Sequence, residues 1–598
     1  MMTSCQVDFE PLGIRAECPA DTALSEVARS AGVGLESVCG GRGVCGRCQV
    51  RIVTGAVSPP AETERQHLSA AQLADGYRLA CLTRVLGDVK VDVPATSCLM
   101  AQRLQLTGVE SSVPFEPAVE EYRLALNPAS LNDLRPDQAR LIGCLESVHG
   151  RPTVSIDLMA LRQLSPILRE NEWQARVAVR DQEVVDVRSP YQGPLGLAID
   201  LGTTKVAAYL VDMETGQTVA ADGAMNHQIA YGEDVMSRIA CAMQGKGEML
   251  RRAITEGIND LIERLCPESE RIVEVSLVGN TAMHHLFLGL PVQQLGRAPY
   301  LPAVSAPLDV KARDLGLHVA PGAYVHLLPN VAGFIGSDHV AMILATGIDR
   351  TEKTVLGLDI GTNTEVVLAR HGELMSCSTA SGPAFEGAHI KHGMRAASGA
   401  IEKVRLNDSE VEVQTIDDAP AIGLCGSGVL DAISELHRVG LLNRRGRLHD
   451  GPGVRCIDGK REFVLVSGEH SGGGHGITLT ERDVGEIQLA KAAIRTGLEA
   501  LLREMGLRCE EVDEVIIAGA FGTYINVASA VAIGMLPPLP LERFQQVGNA
   551  AGVGSKLALV SRSHRAMAME ISRRVRYLEL MTQPDFASQF ARAMYLQP

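Results

Sequence analysis

Along the first hundred residues, apolar and polar positions alternate in short runs. QVDFEPLGIRAEC, CQVRIVTGAV and DVKVDVP carry apolar side chains at about every second place, the period of a strand with one face in a core. One run between them, ALSEVARSAG, has the three-to-four spacing of a helix. The pattern then weakens: VPATSCLMAQRLQLTGVESSVPFEPAVEEY is flanked by prolines and reads as a linker that gains order toward its end. LNDLRPDQARLIGCL and LMALRQLSPILRENEW predict helices, and ARVAVRDQEVVDVRS predicts strand. The long remainder opens with PLGLAIDLGTTKVAAYLVDMETG, an apolar strand running into Asp200, a Gly-Thr-Thr turn and a second strand. The same grammar returns in TVLGLDIGTNTEVVLARHGEL around Asp359, 159 positions later. Such self-similarity predicts two related lobes, each opening on an antiparallel hairpin. The expected units are 1–96, a linker 97–118, a small α+β unit 119–192, and a two-lobed unit 193–598 divided near 350. The small unit shows no catalytic constellation; docking or dimerising is the only role suggested for it.

A chain of 598 residues is long enough for several such units. Its composition is that of a soluble protein, 46% hydrophobic and 21% charged, and the net charge of −15 with no Lys/Arg-dense stripe argues against nucleic acid as partner. A single Trp and few aromatics leave no stacking surface for single strands. The start, MMTSCQVDFEPLG, has early acidic residues and no apolar run, so no secretory signal is expected. VSLVGNTAMHHLFLGLPVQQLG lacks charge but holds two His, an Asn, two Gln and a Pro, and reads as buried protein instead of a membrane span. Of 14 cysteines, ten are scattered without pairing pattern, as reduced core thiols are, which points to the cytoplasm.

The other four carry chemistry. Cys39, Cys45, Cys48 and Cys81 stand as C-x5-C-x2-C-x32-C, three on one Gly-rich loop, CGGRGVCGRC, and the fourth in RLACLTR. Four thiolates with one remote member suit a [2Fe–2S] cluster. Gly40, Gly41, Gly43 and Gly46 permit positive φ and bring backbone N–H groups toward sulfur. Structural zinc is the alternative, but zinc modules present two close C-x2-4-C pairs and only one is here. The helix packed on a mixed sheet, with the cysteine loop at its rim, resembles the β-grasp ferredoxins.

Both Asp-x-Gly-Thr turns have a phosphate logic. Gly202 and Gly361 allow tight turns whose N–H groups face anionic oxygens, and Thr203, Thr204, Thr362 and Asn363 add side-chain donors. Asp200 and Asp359, the candidate catalytic pair, end strands that would face one another across a cleft. They could hold Mg²⁺ through its water shell, since magnesium keeps several waters and takes one or two carboxylates. A third element, EVDEVIIAGAFGTYIN, is a buried strand entering Gly519, Ala520, Phe521 and Gly522, small residues that let a base and ribose approach backbone. In this order the segments resemble the actin-like ATPase superfamily of sugar kinases, heat-shock chaperones and actin, a ribonuclease H-like fold. LVGNTAMHHLFLG and GLCGSGVLDAISEL resemble its two connecting helices, where small residues such as Gly426 and Gly428 let helices cross tightly; these two glycines join the nucleotide-binding set. Cys425 reads as a core thiol.

A cluster domain ahead of an actin-like ATPase resembles the reductive activators of corrinoid proteins. YGEDVMSRI, LPNVAGFIGSDHV, TASGPAFEGAHIKHGMR, VGEIQLAKAAIRTGL and AGAFGTYIN carry the likeness along nearly the whole chain, although C-x5-C-x2-C departs from the C-x4-C-x2-C of photosynthetic ferredoxins. The resemblance implies an α/β multidomain protein that returns the Co(II) corrinoid of a methyltransferase or demethylase system to Co(I). It implies ATP, Mg²⁺ and the cluster as cofactors. It further implies a corrinoid protein as partner, an electron donor such as a ferredoxin, flavodoxin or reductase, a cytoplasmic setting without membrane or nucleic acid, and a homodimer as plausible.

Other residues read more plainly. His284 and His285 fit packing on a helix better than metal binding. His389 and His392 follow the second hairpin and are as suited to a cleft or interface as to folding. Glu233 and Asp234 could position water or Mg²⁺, although acids are ordinary at a helix N-terminus. Two rivals stand beside the activator: a cluster-regulated small-molecule kinase, for which no general-base aspartate or sugar pocket is found, and a chaperone-like ATPase with the cluster as redox sensor. A flavin or nicotinamide reductase is disfavoured by the lack of a GxGxxG after a strand.

Overall fold

The computed structural model describes residues 4–10, 14–31, 33–37, 39–94, 113–153, 155–232, 234–387, 389–407, 410–472 and 476–597. Most of the expected linker, 97–112, and Glu233 lie outside the described residues.

The N-terminal sheet runs in the order Ile14–Pro19, Ser4–Glu10, Arg84–Asp92, Gln49–Val57, Tyr77–Leu79, with Thr22–Ala23 also on Arg84–Asp92. Ser4–Glu10 and Arg84–Asp92 pair in parallel and the rest are antiparallel. Period-two alternation places Cys5, Val7 and Phe9 on one buried face, which the helix Leu24–Ser30 covers with Leu24 and Val27.

The small unit is a four-stranded sheet, Val119–Ala125, Gln174–Arg180, Glu183–Arg188, Ser155–Ile156, covered by helices Asp137–His149 and Leu158–Glu170. The first helix begins six residues later than its sequence pattern predicts. Pro136 is the reason: it disfavours helical backbone at Arg135 and itself serves as the extended N-cap. The strand-like run splits into a hairpin turning at Asp181, which takes φ 53°.

Two six-stranded sheets with the same central order organise the rest, and the second lobe adds two three-stranded sheets, Glu410–Thr415 with Ala400–Asn407 and Gly423–Leu424, and Val454–Ile457 with Lys460–Val466 and Ile477–Thr480. In the first, Thr218–Met225, Lys205–Asp212, Leu195–Leu201, Ile272–Gly279 and Tyr324–Leu327 are successive neighbours; in the second, Glu373–Thr379, Thr364–Arg370, Val355–Ile360, Glu514–Ala518 and Phe544–Gly548. Each begins with an antiparallel hairpin and then adds parallel strands on its other side. Ile272–Gly279 is buried at every position, as a parallel strand covered on both faces must be. The uncharged stretch supplies the end of this strand, from Val275, and the helix Thr281–Leu288; among the described residues no helix is long and apolar enough to cross a membrane. Each lobe has its own core, and a third apolar cluster, with Val278 and Leu328 on one side and Val367 and Ile516 on the other, joins them around the helices Ser337–Thr346 and Ala550–Val560. The two hairpin turns are thereby held facing across a cleft.

Candidate functional site

The cysteine loop bulges from the rim of the N-terminal sheet, with left-handed backbone at Gly40, Gly41, Gly43 and Gly46. It folds Cys39 Sγ to 3.3 Å from Cys45 Sγ, and Cys48 Sγ to 3.3 Å from Cys81 Sγ, which follows the strand Tyr77–Leu79. The hydrogen bond from Cys45, followed by the backbone N–H groups of Val44, Cys45 and Gly43, draws the Cys39 thiol down to about 4 against the cost of burial. The thiols of Cys45 and Cys48 are pushed up by the bonds to Cys39 and Cys81 and by burial. Two pairs, one with three amides aimed at its sulfur, suit two irons joined by bridging sulfides.

The cleft between the lobes gathers most of the nucleotide set. Asp200, Gly202, Thr203, Thr204, Asp359, Gly361, Thr362, Asn363, Gly426 and Gly519 all line one cavity. Asn280 Nδ2 donates to Thr203 Oγ1 at 2.8 Å, and Thr204 and Thr362 both donate to Glu386 Oε1, at 3.2 and 2.7 Å. Gly519 (φ 88°) turns the chain sharply after its strand; a Cβ there would stand 2.6 Å from the Ile360 carbonyl oxygen and 2.7 Å from Asp359 Oδ1. Phe385 and Phe521 stack at 4.7 Å on the wall of the same cavity. Gly428 and Gly522 stand elsewhere. Gly428 lets its helix cross the Ile401 carbonyl, where a Cβ would come to 2.1 Å, and Gly522 packs on Ile517. Ala520 opens the short helix Ala520–Tyr524, and its side chain lies outside the described residues.

Carboxylates dominate the electrostatics. Burial lifts Asp200 to about 6 although Asn549 Nδ2 donates to its Oδ2 at 2.9 Å. Burial and then the Asp200 charge lift Asp359 to about 7. Asp338 and Glu365, neither of them singled out by sequence pattern, complete a chain: burial first, then the facing aspartates, pushes Asp338 up, and burial with Asp338 and Asp359 pushes Glu365 well up. Lys205 lines the cavity too, and burial lowers it against the pull of Glu386. A cleft with this many acids and hydroxyl donors has the chemistry to hold a divalent cation and an anionic ligand together. Glu365 had a signal in the sequence, a lone acid inside the apolar strand TEVVLAR; Asp338 had none beyond its place at the start of a helix.

The remaining candidates have ordinary surroundings. Asp234 caps the helix Val235–Cys241, accepting from the Ser237 N–H at 2.8 Å and from its hydroxyl. His285 is buried, its Nδ1 2.7 Å from the Thr281 carbonyl and its Nε2 accepting the Ala303 N–H; burial lowers both it and His284. His389 is exposed with φ 65°, and His392 is half-buried; neither lines the cleft. Cys425 lines the cavity with its thiol 3.2 Å from Ser427 Oγ and 3.2 Å from the Ile401 carbonyl oxygen.

Four family models match consecutive parts of the chain. A 2Fe-2S iron-sulfur cluster binding domain covers residues 7–86, the RACo linker region 108–192, the RACo middle region 195–351, and the C-terminal domain of RACo, its ASKHA domain, 353–598. The chain is 32% identical to the corrinoid activation enzyme RamQ of Eubacterium limosum over 98% of each. It is 26% identical to the [Co(II) methylated amine-specific corrinoid protein] reductase of Methanosarcina barkeri, over 64% of this chain and 74% of that one. A solved reductive activator for corrinoid, iron-sulfur protein superposes with a TM-score of 0.74 at 34% identity, over 99% of this chain and 98% of that one.

Proposed function

This chain belongs to the RACo family of corrinoid reductive activators, and from that premise we propose that it reactivates a corrinoid protein by ATP-dependent, one-electron reduction of Co(II) to Co(I). The observation that carries the reading is the junction of two chemistries in one chain: paired thiols at Cys39/Cys45 and Cys48/Cys81, and a cleft of facing Asp-x-Gly-Thr turns. A [2Fe–2S] cluster, when bound, supplies a one-electron carrier. The chain's own contribution is to hold four thiolates in two pairs, to aim three amides at Cys39 and to keep Cys48 and Cys39 from water.

In the cleft, Thr203, Thr204 and Thr362 would donate to phosphate oxygens, and Asp200 and Asp359 would hold Mg²⁺. Asp338 and Glu365, whose carboxyls burial and the facing aspartates push up, would hold protons between the lobes in the nucleotide-free cleft. Gly426 and Gly519, which let the chain pass close to the Phe385 and Ile360 carbonyls, would present backbone to a nucleoside beside Phe521.

Joining the two sites answers an energetic difficulty. Co(II)/Co(I) is far more reducing than an ordinary two-iron cluster, so the transfer runs uphill. One electron moved through ~59 mV corresponds to about 1.4 kcal/mol. A differential interaction of ~7 kcal/mol tied to the nucleotide would therefore offset roughly 300 mV. The donor would be a ferredoxin, flavodoxin or reductase, the setting the cytoplasm, and the assembly a homodimer. Anaerobic mixing of the reduced protein with candidate corrinoid proteins, with and without Mg-ATP, tests the reading: Co(I) absorbance should grow only with nucleotide. Equal rates without it would defeat the ATP coupling, and no Co(I) with any corrinoid protein would defeat the whole assignment.

A further inference from the structure

The cysteine loop touches both lobes, and each contact lies one step from a phosphate hairpin. On the first lobe, Gly40 approaches the Tyr231 carbonyl so closely that a Cβ would stand 2.5 Å from its oxygen, and the Arg29 guanidinium lies 5.0 Å above the Tyr231 ring. The next residue, Gly232, accepts from Nε of Arg238, a fully buried side chain that also donates to the Thr203 carbonyl at 2.5 Å. On the second lobe, Arg47, set between Cys45 and Cys48, donates to the carbonyls of Gly387 at 3.0 Å, Ile390 at 2.8 Å and Gly393 at 3.4 Å. Gly387 directly follows Glu386, the carboxylate that accepts from Thr204 and Thr362.

Glu386 therefore holds the hydroxyls that a terminal phosphate would need. Two anions on the same donors repel, so the arriving phosphate must expel the carboxylate. Glu386 adjoins Gly387, one of the three acceptors of Arg47, so a backbone shift that accompanies its expulsion would reach the Arg47 contact. A diphosphate that stops short of these hydroxyls leaves the contact intact.

We propose that the cysteine-bearing domain is strapped across the cleft mouth while Glu386 holds Thr204 and Thr362, and is released when the terminal phosphate of a nucleoside triphosphate takes them. Arg47 is the positioning residue of the strap. The inference rests on the nucleotide reading of the cleft and adds to it a means by which nucleotide state frees the cluster to travel between a donor and a distant acceptor.

Hydrogen–deuterium exchange on the full-length, cluster-loaded protein tests this, with no nucleotide, with Mg-ADP, and with Mg and a non-hydrolysable ATP analogue. The analogue should speed exchange in residues 39–48 at least tenfold over the other two states. Arg47→Gln and Arg29→Gln should each raise that exchange without nucleotide, with the cluster absorbance retained. Because coupling is reciprocal, Arg47→Gln should also bind the analogue threefold to tenfold tighter by calorimetry. Wild-type protein that binds the analogue with no change in this segment, or Arg47→Gln that exchanges and binds like wild type, overturns the strap. A cleft that binds no nucleotide by calorimetry removes the reading beneath it and the strap together, and is recognised by that separate measurement.

Discussion

The hydroxyls of Thr204 and Thr362 stand 3.3 Å apart across the cleft, each on its own copy of one turn, and share a single oxygen of Glu386. A hydrogen bond to a charged group contributes about 1.5–3 kcal/mol. Thr362→Ala should therefore weaken Mg-nucleotide binding by roughly tenfold or more. Thr362→Ser, which keeps the hydroxyl, should stay within about threefold. Isothermal calorimetry separates the two; equal affinities for wild type and Thr362→Ala would remove the threonine from the site.

Asp359 links stability to pH in a direction opposite to that of a surface carboxylate. Its folded-state value, about 7, lies above the ordinary 3.8, because burial and then Asp200 disfavour the charge. The folded chain thus holds a proton that the unfolded chain has lost between about pH 4 and 7, and stability falls as pH rises through that window. Asp359→Asn should stabilise the nucleotide-free protein at pH 8 by about 1–3 kcal/mol, with the gain fading toward pH 4–5. The same variant should lose Mg-nucleotide binding. Thermal melts at several pH values, with and without Mg²⁺, check both halves.

Protons compete with Mg²⁺ for this pair. Asp200 and Asp359 take up protons at about 6 and about 7, so Mg-nucleotide affinity should drop as pH falls from 8 to 5.5. An affinity flat across that range would mean that neither carboxylate carries the cation.

Cysteine substitutions should divide cleanly. Cys81→Ser removes one member of the Cys48/Cys81 pair and should abolish the visible absorbance and electron paramagnetic resonance of a reconstituted [2Fe–2S] cluster. Cys425→Ser, in the cleft and far along the chain, should keep both signals. A Cys81→Ser protein with full absorbance would place the fourth ligand elsewhere.

Gly519→Ala joins backbone strain to collision. Left-handed φ disfavours a side chain by about 1–3 kcal/mol, and the new Cβ would meet the Ile360 carbonyl and Asp359 Oδ1. A lower melting temperature and roughly tenfold weaker nucleotide binding are expected. A variant matching wild type in both would show that this turn relaxes freely.

Local pattern is enough to write down the hairpins at Asp200 and Asp359, the alternation of Cys5, Val7 and Phe9, and the thiol set Cys39, Cys45, Cys48 and Cys81. Each depends on spacing along a few residues: period two for a half-buried strand, glycines for a loop, a repeated turn for a repeated lobe. Helix onset at Asp137 escaped the pattern because Pro136 constrains backbone without altering hydrophobic periodicity. Gly428 and Gly522 show the converse, since glycine meets a demand for close approach whether the neighbour is a nucleotide or, as at Ile401, another part of the chain. Asp338 and Glu365 enter the cleft only because a shared core brings two sheets face to face. Arg47 meets Gly387, 340 residues away, through carbonyl oxygens, which every residue possesses and no sequence pattern distinguishes. The chain by itself thus settled which turns and thiols exist; folding alone decided which charges oppose one another, because desolvation and Coulomb repulsion depend on distance in space and on the exclusion of water.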